Sequence, residues 1–255
     1  MEKQKVIAID GLSYVGKSTI ARSLAKLTHY TYINTGHMYR GAARLALELG
    51  ISPEDKTGLI RITEGMKLEF LNDGGDLKTM VNGKDWTKAV DDEAAIRFAP
   101  RLAAMPEIRT ILTERQRQYA KSQMIIMEGR DIGTVVFPNA EWKFFISAGF
   151  EIRVQRMYKR LLEEEKKRFR WDDPKFLEKL TALDESDLNR PVAPLRKAED
   201  AIEYDNSSSP TEEDDALILY YCLKHPAAVQ KKFIAHSEET LNQALAFAEK
   251  ESEKV

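Results

Sequence analysis

The stretch IAIDGLSYVGKSTIA, residues 7–21, constrains this chain more than any other. An apolar run leads into Gly11, Leu12, Ser13, Tyr14, Val15, Gly16, Lys17, Ser18 and Thr19, which satisfy the pattern GxxxxGK[ST]. The glycines let backbone N–H groups turn inward, and the helix that follows aims its positive end at an anion. Lys17 would reach the β- and γ-phosphates of a nucleoside triphosphate, and Ser18 would ligate Mg²⁺. A strand before the turn and a helix after it are what such a cradle requires. The segment predicts ATP bound by residues 11–19 with Mg²⁺ as cofactor.

The surrounding text alternates strands and helices. Short apolar runs at 6–10, 30–36, 124–131, 141–147 and 200–206 read as strands. Helical spacing covers 17–27, 37–50, 91–104, 106–122 and 151–167, and two more helices run over 211–225 and from 237 to the end. Alternation of this kind predicts an α/β fold with a parallel sheet covered on both faces. Residues 66–87 differ in texture. Asn72-Asp73-Gly74-Gly75 and Asn82-Gly83 are hairpin signals, so a small antiparallel β insert is expected there. RFRWDDP (168–174) breaks the charged helix, and LNRPVAPL (188–195) is a Pro-punctuated loop.

The chain has 255 residues, enough for one α/β domain with insertions. A net charge of −2 implies no general attraction to nucleic acid or membrane, so a phosphorylated ligand needs a local basic patch. The single cysteine, Cys222, forms no internal disulfide, and no Cys/His cluster suggests zinc. With no run of ~20 apolar residues and a strand five residues in, a cytoplasmic protein is expected.

No NKxD element follows a later strand, which argues against a guanine-specific switch protein. A kinase acting on a small substrate fits the length and requires a second basic site for the acceptor. Four segments supply it. NTGHMYR carries Thr35, Tyr39 and Arg40; PEIRTIL carries Arg109; EGRDIGTVVFPNA carries Arg130 and Asp131; LDESDLNRPVAPL carries Asp187 and Arg190. Ligands of parallel α/β sheets bind beyond the C-terminal strand ends, where Arg40 and Arg130 fall. Arginine forks suit phosphate. The charged helix adds Arg153, Arg156 and Arg160, which with Lys17 could balance charge on a transferring phosphoryl group, although such helices are often only solvated.

NTGHMYR, the β insert, EGRDIGTVVFPNAEWKFFI and DLNRPVAPL occur in the order found in bacterial cytidylate kinases, and over residues 6–206 the chain resembles that family. The resemblance implies a P-loop nucleoside monophosphate kinase core flanked by helices, a small antiparallel β insert in the acceptor-binding region, and a helical lid. It implies ATP-dependent phosphorylation of CMP or dCMP. Arg40, Arg130 and Arg190 would hold the acceptor phosphate, Arg109 and Asp131 would read the cytosine edge, and Asp187 would reach the ribose. Catalysis would rest on Lys17, Arg130, Arg156 and Arg160, with Arg153 contributing to ATP binding.

The expected layout is a kinase domain over 1–225 and a C-terminal helical extension over 226–255. Within the domain lie an acceptor region at about 34–110, the insert at about 66–87 and a lid at about 153–174. The family's usual length has no counterpart to the extension, whose Leu241, Leu245 and Ala248 form an apolar stripe. A monomer working on small nucleotides is expected, with no nucleic acid or membrane partner.

Four positions depart from the family pattern. Leu183 stands where an arginine helps bind the acceptor sugar, and Lys179, one helical turn earlier, could substitute for it. Pro100 stands where a serine lies near the base, with Arg97 as a possible replacement. Glu128 replaces the aspartate before GRD and can still hold a Mg²⁺-bound water. Tyr14 is bulky within the P-loop and could touch the lid. The departures leave open a related kinase with another acceptor, such as UMP, or a nucleotide-binding regulator without turnover.

Overall fold

A computed structural model of the chain describes residues 4–73, 76–161, 170–208, 211–226, 233–235 and 237–252. Its centre is a six-stranded, wholly parallel sheet. The strands are β1 (Gln4–Asp10), β2 (Thr31–Asn34), β6 (Ile125–Gly129), β7 (Ala140–Ser147), β8 (Ile202–Asp205) and β9 (Phe233–Ala235). Their spatial order is β2-β6-β1-β7-β8-β9. Val6–Asp10 of β1 and all five residues of β6 are buried, as near-continuous apolar strands covered on both faces must be. The chain starts at the centre, runs outward to β2, returns through β6 and then crosses to β7. That reversal puts a crevice beside the C-terminal ends of β1, β6 and β7.

Helices α1 (Lys17–Thr28), α2 (Thr35–Glu48), α3 (Lys56–Gly65), α4 (Glu93–Ala104), α5 (Pro106–Tyr119), α6 (Phe150–Lys159), α7 (Pro174–Asn189), α8 (Glu212–Lys224) and α9 (Glu238–Ser252) complete the described elements. The α/β architecture agrees with the sequence reading. Strand β2 gives way to α2 without an intervening turn, because the Asn34 side chain accepts the His37 N–H and caps the helix directly. Helices α3 and α7 were not read from sequence: α3 opens on an Asp55 cap, and α7 on Asp173 followed by Pro174. The charged helix is α6 up to Lys159; residues 162–169 of the expected helix and break lie outside the described residues.

The insert is an antiparallel sheet of β3 (Leu68–Asp73), β4 (Asp76–Val81) and β5 (Lys84–Asp85), as expected. Asn82 and Gly83 both take positive φ, 50° and 77°, the conformation an Asn-Gly hairpin turn favours. The other expected turn centres on residues 74–75, outside the described residues. The insert is tied to the helices around it. Arg115 of α5 donates to the Met66 and Glu64 carbonyls, and Tyr119 Oη donates to Leu68 O. The His37 ring bonds Thr79 Oγ1 at 2.6 Å.

The last segment joins the sheet. β9 pairs in parallel with β8, and Phe247 of α9 lies against Tyr220, Tyr221 and His225 at the end of α8. Three residues are too few for a strand periodicity, so β9 was invisible in sequence.

Candidate active site

The P-loop turn starts where β1 ends. A Cβ at Gly11 would sit 2.2 Å from Ile146 O, and one at Gly16, whose φ is +96°, would sit 2.4 Å from Asn206 Nδ2. Both positions therefore exclude side chains, and the loop lies flush against the ends of β7 and β8. Asn206 Nδ2 also donates to Val15 O at 2.8 Å. Lys17 is buried and donates to Leu12 O at 2.6 Å. Burial, reinforced by Arg130, draws its pKa down to about 7. Tyr14 occupies the left-handed region at φ 63°. Its ring lies under the Arg160 guanidinium at 5.5 Å and packs beside Val154, Met157, Phe176 and Leu180, so it does meet α6 and α7.

Beneath the loop, Asp10 accepts the N–H groups of Ile132 and Gly133 at 2.8 and 2.7 Å. This carboxylate fastens the P-loop strand to the π-helical turn Ile132–Val136 that follows Arg130 and Asp131. Burial raises its pKa to about 6 against the pull of those two N–H groups. Glu128 is buried, accepts a hydrogen bond from Tyr32 Oη and lends negative charge to Lys17. The Tyr32 hydroxyl also interacts with Ser18.

The predicted acceptor residues converge beside the loop. Arg130 reaches both ways: Nε donates to Asp187 Oδ2 at 2.6 Å, and Nη2 donates to Ser13 Oγ of the P-loop at 2.8 Å. Burial opposes its charge, but Asp187, Glu128 and Asp10 outweigh that and raise its pKa. Asp131 pairs with Arg109 on one side and with Arg190, at 3.4 Å, on the other. Arg109 also lies over the Tyr39 ring at 5.7 Å; burial pushes the Tyr39 hydroxyl up to about 12. Arg40 pairs with Asp91 at 3.0 Å, and its Nε is buried with no hydrogen-bond partner among the described residues. Thr35 Oγ1 donates to Glu128 O at 2.7 Å, locking the start of α2 to β6. Arg40, Arg109, Arg130 and Arg190 thus gather here, paired with Asp91, Asp131 and Asp187, with Glu128 and Asp10 close behind.

Of the three arginines of the α6 segment, Arg160 is exposed and lies over Tyr14, while Arg153 and Arg156 are held in place. Arg153 is buried, pairs with Asp184 of α7 at 2.9 and 2.7 Å, and reaches Ser13 O at 3.3 Å. Arg156 donates to Asn206 O at 2.8 Å. Among the suggested substitutes, Arg97 points outward to Glu93 at 3.8 Å, while Lys179 and Leu183 lie one turn apart on continuous α7.

Sequence reasoning missed Asp10, Tyr32, Asp91, Asp184 and Asn206. The position of Asp10, the last strand residue before a P-loop, was a usable signal. The others had none, because their partners are distant in the chain.

The cytidylate kinase family model matches residues 7–221. The chain belongs to the cytidylate kinase family. A cytidylate kinase of Carboxydothermus hydrogenoformans is 38% identical over 213 residues, covering 84% of this chain and 95% of its own length. Cytidylate kinases of Halalkalibacterium halodurans (36%, covering 86% of this chain and 97% of its own length) and Flavobacterium johnsoniae (38%, 85% and 95%) are also similar to it. In this cytidylate kinase family member Arg130 after β6, Ile146 of β7 and Asn206 after β8 all meet the P-loop that follows β1, and the matched span stops short of β9 and α9.

Proposed function

We propose that the chain transfers the γ-phosphoryl group of ATP to CMP or dCMP, giving ADP and CDP or dCDP. The observation that carries this reading is Arg130, whose guanidinium bridges the P-loop serine Ser13 and the acceptor-side Asp187. One side chain of fixed charge would then lie between donor and acceptor, among clustered arginines, within a family named for this acceptor.

Residues 11–19 would cradle the ATP phosphates through backbone N–H groups at the start of α1. A polyphosphate against Lys17 Nζ would raise the lysine's depressed pKa, so binding would be coupled to its protonation. Among the described residues no cluster of His, Cys, Asp and Glu could hold a metal unaided. That fits Mg²⁺, which keeps several waters and takes its remaining ligands from phosphates. Ser18 would hold it directly, and Glu128 through a water; the ion would neutralise charge on the β- and γ-oxygens.

Arg40, Arg130 and Arg190 would grip the acceptor phosphate. The unpartnered Nε of Arg40 supports this, since a buried donor of that kind wants an oxyanion. Arg109 and Asp131 would read the base, Asp187 the ribose, and Thr35 and Tyr39 would shape the pocket. The attacking oxygen is already anionic, so positioning and charge neutralisation carry the step without a strong base. Arg153, Arg156 and Arg160, from a lid over about 153–174, would enclose the γ-phosphate and exclude water. The kinase domain would span 1–225, with its acceptor region at about 34–110, and the extension 226–255. No described helix is long and apolar enough to cross a membrane. The chain would act as a cytoplasmic monomer on free nucleotides, without a nucleic acid or membrane partner.

The test is ADP formation from ATP and Mg²⁺ with CMP, dCMP, UMP, AMP, GMP and dTMP supplied singly. CMP or dCMP should give the highest kcat/KM. ATP binding with no ADP from any of the six, or a clear preference for another acceptor, would overturn the assignment. Lys179→Ala should raise the KM for CMP if Lys179 replaces the arginine missing at Leu183; an unchanged KM would sink that substitution.

A further inference from the structure

A second basic cleft lies along the C-terminal half of α1, outside the cluster of acceptor arginines. It has a volume of about 480 Å³ and sits between the C-terminal half of α1, edge strand β2 and the tip of β3. Arg22, Lys26 and His29 line it, at a spacing of four and then three residues, so they form one stripe on one face of the helix. The stripe is about 10 Å long at 1.5 Å per residue. Among the described residues no carboxylate lines the cleft, and none of the three makes an ion pair. Tyr30, Tyr32 and Asn72 form the facing wall.

Helix polarity accounts for basic groups at the last turn, Lys26 and the capping His29. It does not account for Arg22, which stands mid-helix. Arg22 Nε is shielded from solvent and has no hydrogen-bond partner among the described residues. Buried guanidinium N–H groups are ordinarily paired, and an orphan donor in a cationic cleft is satisfied by an anionic ligand. Arg40 and Arg153 also keep an Nε without a partner, but each pairs with an aspartate, Asp91 and Asp184, through its other nitrogens, whereas Arg22 makes no ion pair among the described residues.

We propose that this cleft binds a small polyphosphate-bearing molecule, at a site separate from the donor and acceptor positions. The length of the stripe matches a chain of phosphates better than a single one, and the cavity has the size of ordinary small-ligand sites, about 300–1,000 Å³. The site also has a route to the reaction centre. Tyr32 lines the cleft, and its hydroxyl bonds Glu128 and interacts with Ser18. A ligand that shifts Tyr32 would alter the serine and carboxylate proposed to hold the metal, so the cleft is placed to tune donor binding.

The experiment is calorimetric titration of the full chain with the P-loop and acceptor positions saturated by a non-hydrolysable ATP analogue, Mg²⁺ and CMP. Two probes are used, CTP and inorganic tripolyphosphate. One further site per chain is expected. Lys26→Glu/His29→Glu, both exposed positions, should weaken that site by about 10-fold or more while leaving phosphoryl transfer in its absence unchanged. Tighter binding of CTP than of tripolyphosphate would identify a nucleotide source, and equal binding a recognition of phosphates alone; each supports the site. No added heat from either probe, or titration of the double variant identical to wild type, would overturn it. Arg22→Met provides the second variant: it removes the shielded cation without reversing charge, and binding that survives it undiminished would also overturn the proposal.

Discussion

Arg130 couples two parts of the site through one planar group, with Asp187 on its Nε and Ser13 on its Nη2. Lysine keeps the charge but has no fork with which to make both bonds. Arg130→Lys should therefore lower kcat/KM for CMP by about 10²-fold, as expected for loss of an oriented cation, with little change in Tm; steady-state kinetics reads the first and thermal unfolding the second. A loss under threefold would mean that only charge is needed there. Asp10 carries a different prediction. Its folded-state pKa, about 6, lies above the ordinary 3.8, so the folded protein holds that proton more tightly than the unfolded chain. The resulting stability is fully present below about pH 3.8 and is lost as pH rises through about 6. The effect is on the order of 2–3 kcal/mol for a shift of this size. Urea unfolding of wild type and Asp10→Asn from pH 4 to 7 should show wild type losing ground to the variant across that window. A difference that stays constant with pH would contradict it.

Pairs of helices are coupled by few but buried contacts. The α6–α7 unit packs on Val154, Met157, Phe176 and Leu180, and one bidentate ion pair, Arg153 with Asp184, closes it. Arg153→Met strands the Asp184 carboxylate in a half-dry position and should cost about 3–5 kcal/mol of stability. Adding Asp184→Leu should return most of that loss, since an apolar pair replaces a buried ion pair at little cost. Affinity for ATP should remain low in the double variant, because Arg153 also reaches Ser13 O in the P-loop. Denaturant midpoints read the recovery, and the KM for ATP reads the residual defect; recovery of both would reduce Arg153 to a purely structural role.

The sheet as a whole is longer than its catalytic part. The proposed site residues end at Arg190, and the last residue seen to support the P-loop is Asn206. β9 and α9 cover the edge of β8 and the aromatic end of α8, where Phe247 meets Tyr220, Tyr221 and His225. A chain ending at Lys224 should lose about 2–4 kcal/mol through the apolar area uncovered. Its bare β8 edge should make it prone to self-association. Phosphoryl transfer per folded molecule should persist. Unfolding midpoints, light scattering and single-turnover assays separate these effects; loss of turnover in the soluble, folded fraction would implicate the extension in the reaction.

The P-loop, the parallel α/β class, the Asn82-Gly83 hairpin and the arginines of the acceptor side were legible in the chain itself. Each depends on neighbours in sequence: glycines that must turn, apolar residues at period two or 3.6, a motif within a dozen positions. Strand β9 was not legible because its pairing with β8 defines it, whereas α3 and α7 carry local start signals, the Asp55 cap and Asp173 before Pro174, that apolar spacing alone did not draw out. The partners of the arginines were out of reach because they are distant in the chain. Asp187 lies 57 positions from Arg130, Asp184 lies 31 from Arg153, and Asn206 lies 191 from the carbonyl it binds. The sequence by itself determined which chemical groups the site would contain. Only the tertiary structure decided which carboxylate holds each cation, and which cations, Arg22, Arg40 and Arg153 among them, keep a shielded N–H without a protein partner. Pairing of charges is set by distance in space, and burial is set by what the rest of the fold places over them.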